Sequence, residues 1–245
     1  MNYLQLCQRM ALECGVSGTL VTTAGQQGSL QRIVTWVNQA WNDLQLEHDD
    51  WGFMRSSVLL GSSGAGGSGA GASFATVAGQ ASYPLGTGSG TSGVAAASFG
   101  KWDADSFRVY STAQGTQNEW FLDHIRFEEW RNGYMLGAMR SVQTRPVAVA
   151  IGPNNEVCLG PPPDGTYTVE GDYFTSPSVL SADTDTPGAL PYQYQMAIIY
   201  KAMEYYGFYE AASEVIERGQ MEYKRILAQL EAIYGPRIHI AGTLF

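Results

Sequence analysis

Gly64-Ala65-Gly66-Gly67-Ser68-Gly69 satisfies the GxGxxG spacing by which a dinucleotide-binding loop brings backbone amides to a pyrophosphate, and Val58-Leu59-Leu60 before it has strand composition. That chemistry needs a helix next and an acidic ribose partner about 20 residues on. The chain continues instead as the strand-like "ASFATVAG", and no acid follows at that distance. Metal binding is suggested by His124 and Glu128 at i,i+4 and by Asp183 with Asp185. Each pair supplies two ligands where a closed site takes three or four, and His48 and His239 have no ligand-like neighbours at motif spacing. Paired carboxylates for glycoside hydrolysis are available among Asp103, Asp105, Asp123, Glu128 and Glu129. Glu128 and Glu129 are adjacent, so on a helix they diverge by about 100° and cannot flank one bond. There is no GxSxG elbow, and no Ser or Cys has a recognisable His context. Cys7, Cys14 and Cys158 are an odd set without CxxC spacing, which suggests neither a disulfide framework nor a zinc site. We therefore expect no catalytic residue, no cofactor and no metal.

Composition narrows the classes further. The chain has 245 residues with 44% hydrophobic, enough to fill a core, but only 15% are charged, against roughly a quarter in an ordinary soluble domain. From Ser56 to Gly100 no residue carries a charge. That stretch is too rich in Gly and Ser to span a bilayer, so it reads as strands and loops packed partly against other subunits. The net charge of −9, with no basic run, opposes a protein that grips nucleic acid phosphates. Six tryptophans and fourteen tyrosines suit cores and subunit interfaces, or else a sugar-binding groove. The N-terminus lacks a basic region followed by a long apolar run, so we expect synthesis in the cytoplasm and no membrane insertion.

The elements that must carry these residues are legible from periodicity. Residues 3–14 form an amphipathic helix with Leu4, Cys7, Ala11 and Cys14 on one stripe. A second helix takes Ser29 as N-cap and aligns Leu30, Ile33, Val34, Val37, Trp41 and Leu44. Short apolar or alternating runs separated by Gly, Ser and Asp then predict β-structure to about Thr175. Within it, residues 119–132 read as a short helix, or a strand and one turn, anchored by Phe121, Ile125 and Trp130. Helix returns after Pro191 with Met196, Ile199, Met203 and Tyr206 in a stripe that Gly207 interrupts. The last helix aligns Ala212, Val215, Gly219, Tyr223, Ile226, Leu230 and Ile233, with Gly219 admitting a close neighbour and Glu214–Arg218 and Arg218–Glu222 pairing outside. The small-residue run 61–73 has strand-like sequence on both sides, which makes it a loop tip of the β region.

Residues 156–207 run through a strand into Pro-Pro-Asp, a Tyr-containing strand, "SPSVLSADTDTP" and then Leu190-Pro191 opening a helix. Together with "YLQLCQRMALECG" and "GSLQRIVTWVNQAWNDLQLEHDDWGFM", and with "QASYPL" and "RPVAVAIG" in strand positions, this resembles the head-to-tail adaptor (connector) proteins of tailed bacteriophages. The resemblance spans nearly the whole chain. The Gly/Ser/Ala run and the loop at Gly86 to Gly93 look longer than the family pattern requires.

The resulting expectation is an α+β protein: a helical bundle made from N- and C-terminal helices with a β-rich, sandwich-like domain inserted between them. Its parts are residues 1–50, the β region 51–188, the helices 189–235 and an extended tail 236–245. The resemblance implies a non-enzymatic virion protein at the portal–tail junction. It implies a ring of 12 copies bound to the portal protein and to tail nozzle, tube or fibre proteins, with phage DNA passing through without sequence-specific binding. An acidic wall would repel phosphates and let DNA slide. Arg237, Ile238, His239, Ile240, Leu244 and Phe245 are the expected portal contacts, since such tails reach the portal in the family. Met196, Ile199, Met203, Gly219, Tyr223 and Leu230 are the expected ring-packing positions. The alternative is a tail-associated glycan-binding or cell-wall-degrading protein.

Overall fold

The computed structural model describes residues 1–57, 71–86, 94–96, 98–188 and 190–235. Its α-helices are α1 (Tyr3–Glu13), α2 (Gly28–Leu46), α3 (Phe127–Tyr134), α4 (Met196–Glu210) and α5 (Ser213–Tyr234). Two compact units result, one from Met1–Met54 with the chain from Pro177 on, the other from Arg55–Ser176. The α+β class read from the sequence holds. The unit boundary falls at Ser176 rather than at residue 188. Leu180 is buried in the helical core, Trp51 lies there too, and the Leu180 N–H donates to Asn38 Oδ1 at 3.0 Å.

In the helical unit α1 begins with a reciprocal cap. The Gln5 N–H donates to Asn2 Oδ1 at 2.8 Å and the Asn2 N–H donates to Gln5 Oε1 at 2.9 Å. Tyr3, Leu6, Cys7, Met10 and Ala11 then form the buried stripe, so that of the expected set Cys7 and Ala11 lie in it while Leu4 and Cys14 are only half-buried at its edge. Helix α2 starts at Gly28 with Gln27 as the flanking residue, so Ser29 lies in the first turn and is not the N-cap. It buries Ile33, Val37, Ala40, Trp41 and Leu44. Helix α4 packs against α1, α2 and α5, which explains its Ala197-Ile198-Ile199 run: a helix with neighbours on several sides has little polar face.

Gly207 does not interrupt α4. The helix continues to Glu210 and closes at Ala211 in the left-handed region, φ 54°. Gly207 and Gly219 serve the α4–α5 contact instead. A Cβ on Gly219 would stand 2.9 Å from the Tyr200 carbonyl oxygen, and one on Gly207 would stand 2.6 Å from Ile216 Cγ1. The surface pairs also differ from the i,i+4 expectation. Arg218 reaches across to Glu13 at 2.7 Å and Arg225 pairs with Glu222 at 2.8 Å, which leaves Glu214 out.

The second unit holds strands β1 (Arg55–Ser56), β2 (Ala72–Ala75), β3 (Ser82–Tyr83), β4 (Leu85–Gly86), β5 (Val94–Ala95), β6 (Phe99–Trp102) and β7 (Arg108–Ser111). They are followed by β8 (Trp120–Phe121), β9 (Asp123–His124), β10 (Ala148–Ile151), β11 (Val157–Gly160), β12 (Tyr167–Gly171) and β13 (Tyr173–Thr175). The sheets have orders β1-β13-β6, β3-β11-β10-β9 and β2-β12-β7-β8, with β4 and β5 paired separately. Strands β10 and β11 show why "VAVAI" and "VCLG" carry no polar alternation. Val149, Val157 and Leu159 enter the main core, while Ala150 and Cys158 on the other face pack with Trp130 of α3. Residues 119–132 contain both readings, as β8, β9 and the start of α3. Trp130 is the anchor, its indole N–H donating to the Leu159 carbonyl at 2.9 Å. Phe121 is not an anchor, being 69% exposed. Ala72 and Ser73, read as loop, belong to β2, where Ser73 pairs with Glu170.

Substituting Gly219 with valine is expected to cost about 1–3 kcal/mol of unfolding free energy through the clash with the Tyr200 backbone. Gly133→Ala in α3, where a new Cβ meets nothing within 4 Å, is expected to be neutral or stabilising by up to about 1 kcal/mol. Urea denaturation of both variants tests the contrast.

Candidate functional site

The residues that suggested chemistry are mostly engaged in holding the fold. Asp183 accepts hydrogen bonds from the Thr23 N–H at 2.6 Å and from the Thr23 hydroxyl. Asp185 accepts from the Ser181 and Ala182 N–H groups, both at 2.8 Å. These donors hold both carboxyls below the usual carboxylate range. The backbone carbonyls of the same two residues accept from the Leu4 and Tyr3 N–H groups, otherwise unpartnered at the start of α1. The pair is thus a clamp on α1, not a ligand set.

His124 and Glu128 fall in different elements, β9 and α3, and the nearest carboxylate to His124 Nδ1 is Asp105 at 3.7 Å. Glu128 and Glu129 sit in the first turn of α3, and Glu129 accepts from the Arg126 N–H at 3.3 Å. Asp123 is exposed on β9. Asp103 has a carboxyl pushed up by burial, with Asp172 and Asp105 adding to the rise against the lowering effect of Arg55. Arg55 Nη2 reaches Asp103 at 2.7 Å and Asp172 at 2.8 Å, so this carboxylate is bridged by a guanidinium rather than presented to a substrate. His48 Nε2 lies 3.1 Å from Glu231 Oε1 and its ring stands edge-on to Trp51. Burial pushes the thiols of Cys7 and Cys14 up to about 12 and that of Cys158 to about 11, the wrong direction for a nucleophile. Among the described residues no group of three or more His, Cys, Asp or Glu side chains is placed to hold a metal ion. Gly64 to Gly69 and His239 lie outside the described residues.

What remains open to partners is surface. The whole-chain comparison decides how to read it: the family model of the SU10 adaptor protein matches residues 1–239. The chain belongs to the SU10 adaptor protein family. The resemblance to phage head-to-tail adaptors read from its strands and helices is therefore shown. A comparison with curated proteins returns no match. For an SU10 adaptor the relevant geometry is that of exposed faces, and no helix among the described residues is long and apolar enough to cross a membrane.

The ring-packing positions expected of this adaptor lie largely in its own core. Ile199, Met203, Tyr223 and Leu230 are buried in the helical unit, Met196 is partly buried against it, and Gly219 faces the Tyr200 backbone. Side chains buried inside one chain are not at its surface to meet another. The tail positions Arg237, Ile238, His239, Ile240, Leu244 and Phe245 lie outside the described residues. Sequence reasoning missed the exposed apolar side chains Phe208 and Tyr209 at the end of α4 and Leu136 and Met139 after α3. Their signal was weak, because Phe208 and Tyr209 continue a tyrosine-rich helix and Leu136 and Met139 lie outside any periodic element.

The lowered carboxyls of Asp183 and Asp185 fix a pH dependence. A native-state pKa below the unfolded value of 3.8 contributes stability that is present above about pH 4 and lost as pH falls through the folded value. Asp185→Asn is therefore expected to melt lower at pH 7 and to lose less stability between pH 4 and pH 2. Thermal unfolding across that range checks it.

Proposed function

We propose that this SU10-family adaptor is a structural ring protein of the phage virion that docks on the portal, extends the DNA channel and offers the platform for tail proteins. The observation that carries the reading is the family match over residues 1–239. Two features of the chain support it. Charge is sparse, with an uncharged stretch from Ser56 to Gly100, as suits surface covered by neighbours. The net charge of −9 suits a wall past which DNA slides, since like charge prevents phosphates from sticking. In this reading twelve copies form the ring and the segment 237–245 provides the portal contact, adding itself to a groove or sheet edge as an extended strand does.

Mass photometry of the full chain with and without its cognate portal ring tests the proposal. Addition of a defined number of copies, twelve on this reading, is the expected result. A chain that stays monomeric and ignores the portal overturns it. Deleting residues 237–245 is expected to weaken portal binding while leaving the melting temperature unchanged.

A further inference from the structure

Residues 130–155 contain no acid, and Arg131, Arg140 and Arg145 within them are all exposed. Arg145 lies over the Trp120 ring. Arg131 and Arg140 have no ion-pair or hydrogen-bond partner among the described residues, although acids outnumber bases 23 to 14 in the chain. Between them the chain exposes Leu136 at 58% and Met139 at 44%. Arginine and methionine beside exposed aliphatic surface have the composition of a protein interface, where lysine is depleted.

The helical unit carries a surface of opposite character. From Ala202 to Glu217 there is no Lys or Arg. Glu204 is paired with Lys201 at 3.3 Å. Glu210, Glu214 and Glu217 have no cationic partner among the described residues, Arg218 having turned to Glu13. The same α4–α5 corner exposes Phe208 at 62% and Tyr209 at 52%, with Arg32 stacked on the Tyr209 ring at 4.1 Å.

We propose that the Arg131–Arg140 segment docks on the α4–α5 corner of a second copy of this chain, pairing its guanidinium groups with Glu214 and Glu217 and covering Leu136 and Met139 with Phe208 and Tyr209. The inference rests on the adaptor reading and deepens it by naming the lateral contact. Charge complementarity selects the occupant, because each copy carries both the unpaired cations and the unpaired acids. Two different patches meeting make a heterologous contact, the kind that propagates from copy to copy and forms a ring where its rotation closes. Nucleic acid fits less well, since phosphates would pair with the arginines and leave the neighbouring aliphatic side chains uncovered.

The test uses full-length chains carrying Arg131→Glu with Arg140→Glu, or Glu214→Arg with Glu217→Arg, or all four changes. Assembly is read by mass photometry and sedimentation at low and high salt, alone and on the portal ring. Each pair of changes is expected to weaken copy-to-copy association about tenfold or more. The fourfold variant and a one-to-one mixture of the two pairs are both expected to recover it. All four positions are exposed, so melting temperatures are expected to stay unchanged. Reversed variants that assemble like the unmodified ring overturn this inference and leave the adaptor reading standing. So does a failure of both the fourfold variant and the mixture to recover assembly. Arginine variants that keep the ring but lose DNA retention also overturn it, assigning the patch to nucleic acid. An unmodified chain that stays monomeric with and without the portal overturns both.

Discussion

The side-chain amide of Gln45 holds the backbone of Ser178 from both sides. Its Nε2 donates to the Ser178 carbonyl at 3.0 Å and its Oε1 accepts from the Ser178 N–H at 2.8 Å. Gln45 is buried, so losing either partner would strand polar groups away from water, which costs about 1–3 kcal/mol each. Residues more than a hundred positions apart are fixed here, and the loop-closure entropy of bringing them together is offset only by contacts of this kind. Asn38 with Leu180, Thr23 with Asp183, and Tyr3 with Asp185 extend the same seam along the returning chain. The shared core of the N- and C-terminal helices depends on it.

Inside that core α4 is the helix with neighbours on several sides, α1, α2 and α5, and the two glycines at its contact with α5 set how near α5 comes. Polar groups at its rim are handled by pairing. Tyr205 donates to Asp43, Tyr223 donates to Glu47, and burial with those carboxylates nearby pushes both phenols well above their ordinary range. Lys201 sits over the Tyr223 ring at 5.2 Å. These hydroxyl–carboxylate bonds tie α4 and α5 to the C-terminal end of α2.

The β unit meets the same constraint with ions. Arg108 is almost fully buried, yet it lies 3.3 Å from both Glu119 and Glu170. Arg55 binds two aspartates. Cations used to hold strands together are not available to ligands, which is why the exposed Arg131 and Arg140, without an ion-pair partner among the described residues, stand out. One site-like pattern of the sequence, Asp183 with Asp185, proves to be a clamp.

Local patterning determined much of this protein. The existence of α1, the buried stripe of α2, the strands about "RPVAVAIG" and "NEVCLG", and the α+β class follow from periods of 3.6 and 2, which act over a few residues. The adaptor resemblance followed from the order of those elements, and a family is legible in that order because it is stored along the chain. Tertiary structure alone decided where long-range partners lie. Arg218 chose Glu13 over its helical neighbour Glu214, Gly207 became a close-packing point rather than a break, and residues 177–188 joined the helices. Ile199 and Leu230 were committed to the subunit's own core, while Leu136 and Phe208 were left outside. An apolar side chain at helical spacing reads the same whether its cover comes from its own chain or from a neighbour, and only the folded packing distinguishes the two.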